Sequence, residues 1–160
     1  MNERIIASAK QKLARFLEKN NHRNTPERYA ILDAVYSFKG HFTFDELNEK
    51  LSEDCHFPVS RATLYNTLRL FLELRLIVRH KFQTSTKYEA YWDDDNHCHL
   101  ICTVCGKVTE IKSPEITSAV RHLPMDNFHR DGYSLYIYGI CADCQKEVQQ
   151  TDKQEYKILK

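Results

Sequence analysis

Apolar residues recur at helical intervals through the first part of the chain. Over residues 3–20, Ile5, Ile6, Ala9, Leu13, Phe16 and Leu17 stand among Lys, Arg, Gln and Glu, a spacing that predicts an amphipathic helix. The polar run Asn20-Asn21-His22-Arg23-Asn24 breaks it. Thr25-Pro26 then supplies an N-cap followed by proline at the first helical position, where a missing N–H costs nothing. Tyr29, Ile31, Leu32 and Val35 give this second helix its buried stripe, and Lys39-Gly40 ends it. Thr43-Phe44-Asp45-Glu46 reads as a capping box opening a third helix with Leu47 and Leu51 inward. After a connector that holds Cys55, Ser60 caps a fourth helix, predicted to run to about residue 75 with Leu64, Leu68, Phe71, Leu72 and Leu74 apolar.

The pattern then changes period. Residues 76–82 and 87–91 are β-branched and aromatic runs separated by the polar turn Gln83-Thr84-Ser85-Thr86, which predicts a hairpin. Helices followed by a two-stranded ribbon form the winged helix-turn-helix plan, in which the helix before the ribbon enters the major groove. The outward positions of that helix are Arg61, Thr63, Tyr65, Asn66 and Arg69: Arg and Asn can read base edges bidentately, and Tyr can meet a thymine methyl or a phosphate. The same residues equally suit an ordinary solvated helix face. Asp93-Asp94-Asp95-Asn96 has no apolar anchor and is expected to be a hinge, which divides the chain into a domain over 1–92 and another over 97–160. In the second, strands are expected at 97–101 and 107–111 around a Cys102–Cys105 turn, a helix from Ser113-Pro114 to about residue 122, a strand over 133–140 after Gly132, and a polar tail from residue 145. The fold class expected is α+β.

Composition changes this picture little. Of 160 residues, 42% are hydrophobic and 28% charged, enough apolar content for a core. No apolar run reaches the roughly 18 residues that span a membrane, and no signal-like segment follows Met1, so no membrane partner and a cytoplasmic location are expected. Charge is unevenly shared. Residues 1–92 carry 15 Lys and Arg against 11 Asp and Glu, and residues 93–160 carry 8 against 11, so the basic half is the one with the winged-helix pattern.

Candidate chemistry concentrates in the second half. Cys102-Thr103-Val104-Cys105 and Cys141-Ala142-Asp143-Cys144 are paired C-x-x-C motifs, each able to aim two sulfurs at one ion from a tight turn. Cys102, Cys105, Cys141 and Cys144 are therefore expected to close a structural, four-cysteine Zn²⁺ site. That site leaves no position for His97 and His99, which on a strand leave one face together while Cys98 leaves the other. Two imidazoles there make half of an N/O metal site.

Four segments together carry a resemblance. Arg23-Asn24-Thr25-Pro26-Glu27-Arg28, the helix Arg61-Ala62-Thr63-Leu64-Tyr65-Asn66-Thr67-Leu68, the run His97-x-His99-Leu100-Ile101-Cys102-x-x-Cys105-Gly106-Lys107, and Leu135-Tyr136-x-Tyr138-Gly139-x-Cys141-x-x-Cys144 resemble, in order and spacing, the ferric uptake regulator family of bacterial metal-dependent repressors. The resemblance implies a homodimer with an N-terminal winged helix, a C-terminal α/β dimerisation domain and a pseudo-palindromic double-stranded DNA operator. It implies that His41, Glu89, His97, His99 and Glu110 form a regulatory site between the domains, and it adds Arg23 and Arg28 to the DNA-contacting set. Three imidazoles and two carboxylates suit Fe²⁺ or Mn²⁺, although Zn²⁺ can bind such a set more tightly in vitro. Some family members hold a further metal on His, Asp, Glu and His; the aligned residues here are Asn96, Cys98, Thr117 and Tyr133, which do not reproduce that set.

The function expected is Fe²⁺-responsive repression. Family peroxide sensors tend to have Asp where Glu110 stands, and zinc sensors Cys where Glu89 stands, so peroxide sensing and Zn or Mn sensing are the alternatives, with a zinc-stabilised interaction module lacking a DNA target as a third. An enzyme is not expected, because neither H-E-x-x-H nor the H-x-E with P-C-x-x-C of zinc deaminases occurs.

Overall fold

Helix α1 (Glu3–Lys19) buries Ala9, Leu13 and Leu17 at four-residue intervals, the stripe its sequence calls for. Helix α2 (Pro26–Ser37) is apolar on more than one side and buries Ile31, Leu32, Ala34, Val35 and Tyr36. It packs against α1, α3 (Phe44–Glu53) and α4 (Arg61–Glu73), so it is the centre of the first core. The computed structural model describes residues 3–82, 85–91, 97–130 and 133–146, in two compact units, Met1–Trp92 and Asp93–Lys160. The expected hinge at 93–96, Gln83 and Thr84 of the expected turn, Gly132 and the tail beyond residue 146 lie outside the described residues.

The helix starts follow the sequence, with one exception. Thr43 and Glu46 form the reciprocal capping box, Ser60 accepts from the Thr63 N–H, and Ser113 accepts from the Ile116 N–H. Thr25 occupies the N-cap of α2 but makes no side-chain cap bond. Its hydroxyl donates to the Glu27 carboxylate, whose pKa is lowered first by its own backbone N–H and then by Thr25. Leu74, expected within α4, lies just beyond it. Arg75 takes a left-handed conformation (φ 50°), and the Leu76 N–H reaches back to the Phe71 carbonyl at 2.8 Å, a Schellman closure that turns the chain into the ribbon.

Strands β1 (Ile77–Lys81) and β2 (Thr86–Ala90) pair antiparallel, with Val78 opposite Glu89 and His80 opposite Lys87. The segment before α3 joins them. Phe42 and Tyr88 exchange both backbone hydrogen bonds, at 2.8 and 2.7 Å, so His41 faces Glu89 one step along the same pairing. The Tyr36 hydroxyl sits 3.1 Å from the Leu76 carbonyl and 3.2 Å from that of Tyr91, tying α2 to both strands at the open end of the ribbon.

The second unit is built on β3 (Cys98–Cys102), paired antiparallel with β4 (Val108–Ile111) and parallel with β5 (Leu135–Gly139). Helix α5 (Pro114–Arg121) lies between β4 and β5 in sequence, as a parallel crossover requires. A further helical turn covers 142–146. The boundaries are shorter than expected: β3 begins at Cys98, leaving His97 one residue ahead of it. The two units differ in their interiors. Among the described residues, the continuous apolar core runs from Ala9 to Ala90 and lies wholly in the first unit, whereas the buried apolar residues of the second are Cys98, Ile101, Cys102 and Cys144.

Truncating Leu13, which is fully buried, to Ala is expected to cost about 2–5 kcal/mol. Thr43→Ala, which removes only a cap, should cost about 1 kcal/mol. Urea unfolding followed by far-UV circular dichroism tests both the magnitudes and their order.

Candidate metal centres

The turn after β3 carries Cys102 and Cys105, and the segment after β5 carries Cys141 and Cys144. Parallel pairing of β3 with β5 sets Cys102 beside Gly139, and the Thr103 N–H donates to the Gly139 carbonyl at 2.8 Å, so both C-x-x-C turns emerge at the same end of the sheet. The four sulfurs lie within 4.8 Å of one another. Thiolates held about 2.3 Å from one tetrahedral ion stand about 3.8 Å apart, and Sγ of Cys105 is 3.8 Å from Sγ of Cys141. That separation is far beyond a disulfide bond, and all six cysteines are free thiols.

The site is prepared electrostatically. Backbone N–H groups of Cys105 and then of Cys141, the latter 3.3 Å from Cys102 Sγ, bring the Cys102 pKa down to about 6. Cys144 moves the other way, chiefly because its thiol is hydrogen-bonded to Cys141. Lys107 bonds Asp143 at 3.2 Å across the two turns, and its pKa is raised first by that bond. One sulfur is thus ready to ligate, and others must give up protons when an ion enters. Four soft donors in a closed shell fit Zn²⁺.

A second set of donors is nitrogen and oxygen, and each unit holds its own part. In the first unit, His41 Nε2 lies 3.5 Å and His80 Nε2 3.2 Å from the same carboxylate oxygen of Glu89. Glu89 is only 6% exposed, and the His41 and His80 rings meet edge to face at 4.9 Å. The side chains of His41 and Glu89 are both 8% exposed, so neither is a solvated surface group. In the second unit, the rings of His97 and His99 are 4.6 Å apart, His99 stacks on Tyr136 at 5.3 Å, and Glu110 is the direct cross-strand partner of His99. Glu110 is exposed. Cys98, opposite in phase, is buried at 1% exposure, and Cys55 is exposed. At the positions of the family's further metal site, Thr117 and Tyr133 share a hydroxyl–hydroxyl hydrogen bond of 3.2 Å, and Asn96 lies outside the described residues.

Sequence reasoning missed His80 and Tyr136. The signal for His80 was available, since it occupies an alternate position of an expected wing strand, but only the register shows that it shares a face with Glu89.

On the expected DNA-reading helix, Arg61, Tyr65, Asn66 and Arg69 are exposed, with Tyr65 at 61%. Arg61, Tyr65 and Arg69 follow one another at four-residue steps along a single face. Arg61 is pre-set by Asp45 at 2.9 Å and by the Phe44 ring 4.7 Å below its guanidinium. Thr63 is half-buried, its hydroxyl 2.8 Å from that of Ser60. Arg28 donates to the Arg23 carbonyl at 2.6 Å, bracing the loop that presents Arg23.

A winged-helix unit, followed by a small mixed sheet with a four-thiolate centre and separate N/O donors, defines a class: the metal-dependent DNA-binding regulators. The chain belongs to the ferric uptake regulator family, whose profile matches residues 19–138. It is 35% identical over 126 residues to the peroxide-responsive repressor PerR of Staphylococcus aureus, an alignment covering 77% of this chain and 82% of that one. In fold it is similar to the ferric uptake regulator of Pseudomonas aeruginosa solved with manganese (TM-score 0.67, 25% identity, 81% of this chain and 97% of that one). It is also similar to that of Francisella tularensis solved with iron (TM-score 0.57, 28% identity, 77% and 94%).

Cys105→Ser is expected to remove the metal of the four-cysteine centre and to lower the melting temperature of the second unit while the first unit melts unchanged. Elemental analysis and calorimetry test this. Because binding displaces thiol protons, chelators should strip the wild-type site more readily at pH 6 than at pH 8.

Proposed function

We propose that the protein is a metal-responsive transcriptional repressor, most specifically Fe²⁺-responsive, acting as a homodimer on a pseudo-palindromic operator. Residues 1–92 bind DNA through Arg61, Tyr65, Asn66 and Arg69 on α4, with Thr63 fixing its start and Arg23 and Arg28 beside it. Residues 97–160 dimerise, and 93–96 act as the hinge. Cys102, Cys105, Cys141 and Cys144 hold a structural Zn²⁺. His41 and Glu89, with His97, His99 and Glu110, hold the regulatory Fe²⁺ or Mn²⁺. Bound there, a divalent ion supplies positive charge and directed bonds to donors from both units.

The reading is carried by one observation: each unit gathers its own part of a hard-to-borderline donor set on one β face, apart from the thiolates. Donors split between two units can share an ion in only a restricted set of arrangements. Binding therefore favours those arrangements, which is how a metal couples to DNA affinity.

Dimerisation has its own support. Among its described residues the second unit buries few apolar side chains and exposes Ile137, Tyr138 and Ile140 along and just beyond β5, an edge strand of its three-stranded sheet. An apolar edge strand with a thin interior behind it calls for a self-complementary partner.

The relatives named peroxide-responsive repressors favour a second reading, peroxide sensing through the same donors. The two are separated by treating the Fe²⁺-loaded protein with hydrogen peroxide and then restoring Fe²⁺: lasting loss of DNA binding selects the peroxide sensor, and full recovery the iron sensor.

Fluorescence anisotropy on a palindromic duplex, with Mn²⁺ added anaerobically to zinc-loaded protein, is expected to show about 5–150-fold tighter binding with the ion. His99→Ala and Glu89→Ala should abolish that gain while retaining the zinc and the dimer, and affinity should fall steeply with salt. Metal-independent DNA binding in the wild type would overturn the proposal. Tyr138→Glu is expected to shift the dimer to monomer by light scattering at micromolar concentration.

A further inference from the structure

His80 is 2% exposed, lies in the first unit, and has no part in the ligand set proposed above. Its place is fixed by β geometry. It stands opposite Lys87, two residues from Glu89, and therefore projects from the same ribbon face as Glu89 and Val78. Its Nε2 is 3.2 Å from Glu89 Oε2. An ionised carboxylate can only accept, so at that contact Nε2 carries the proton and donates it. The ring is held in turn, stacked on Phe82 at 5.9 Å and 9° and set edge to face against His41.

We propose that His80 is a positioning residue for the regulatory centre: it fixes the Glu89 carboxylate by donating from Nε2, and it braces the His41 ring, without itself ligating the ion. A carboxylate on a two-torsion stem has several staggered settings in which its oxygens point elsewhere. A buried donor anchored by an aromatic stack selects one of them before metal arrives, so less ordering remains to be done on binding. Ligating groups are commonly held by such hydrogen bonds, and losing one typically costs about 10–100-fold in metal affinity. The inference rests on the reading of His41 and Glu89 as regulatory ligands.

The test is Co²⁺ titration of the zinc-loaded full chain, read by visible absorption for His80→Leu and His80→Gln, whose amide N–H reaches to about the same place as Nε2. Failure of the wild type to bind Co²⁺ beyond its zinc would remove the regulatory-site reading itself. With the wild type binding one such ion, His80→Leu is expected to keep the stoichiometry and the saturated d–d spectrum while weakening affinity about 10–100-fold, and His80→Gln should recover most of the loss. Should His80→Leu not fold, His80→Asn, whose amide stops short of Glu89, replaces it with the same expectations. Unchanged affinity in His80→Leu overturns the proposal by showing no role. A changed saturated spectrum in both variants overturns it by making His80 a ligand.

Discussion

Much of the chemistry in this chain depends on the two-residue alternation of β-structure. Backbone pairing of Phe42 with Tyr88, and of β1 with β2, leaves no choice about which side chains share a face. His41, Val78, His80, Lys87 and Glu89 fall on one side, and a slip of one residue in either pairing would scatter them. The same rule operates in the second unit, where His99 is flanked by Glu110 on β4 and Tyr136 on β5 while Cys98 turns away into the interior. The helices of the first unit anchor the ribbon at its open end: the Tyr36 hydroxyl and the Schellman closure after α4 fasten the start of β1 and the end of β2 to the core.

The four cysteines answer a different need. A domain whose described residues bury so few apolar side chains gains little from hydrophobic burial, and a closed tetrahedral ion would supply folding energy that this core does not. The soft and hard donor sets are also chemically insulated. Four thiolates in a closed shell suit zinc, and under the proposed reading the imidazoles and carboxylates remain for a second, exchangeable ion. In β3 the two purposes meet on one strand, with His99 in its middle and Cys102 at its end.

The helical half was legible because caps and apolar intervals are local. The Thr43 box, the Ser60 and Ser113 caps and the stripes of α1 and α4 all stand where the sequence puts them. Thr25 stands at the N-cap position that its sequence predicts but makes no cap bond there, whereas Ser113, in the same Pro-Glu context, both donates to Glu115 and accepts from the Ile116 N–H. The cysteine site was legible because its ligands come in close-spaced pairs. The roles of His80 and Tyr136 were not, since each depends on strand register between distant segments. The burial of Glu89 was not legible for the same reason: burial is a property of what packs over a residue, and nothing adjacent in sequence announces it.

The surroundings of Glu89 explain why such a site would respond to metal. A carboxylate with 6% of its surface in water has lost most of its hydration, and restoring that loss takes either hydrogen bonds or opposite charge. The imidazoles of His41 and His80 both approach the same oxygen. Hydrogen bonds solvate a buried carboxylate, whereas a divalent ion at this position would bring opposite charge to it. Under the proposed reading, the ribbon register gathers the donors before the ion arrives, and the buried carboxylate gives a cation its reason to bind there.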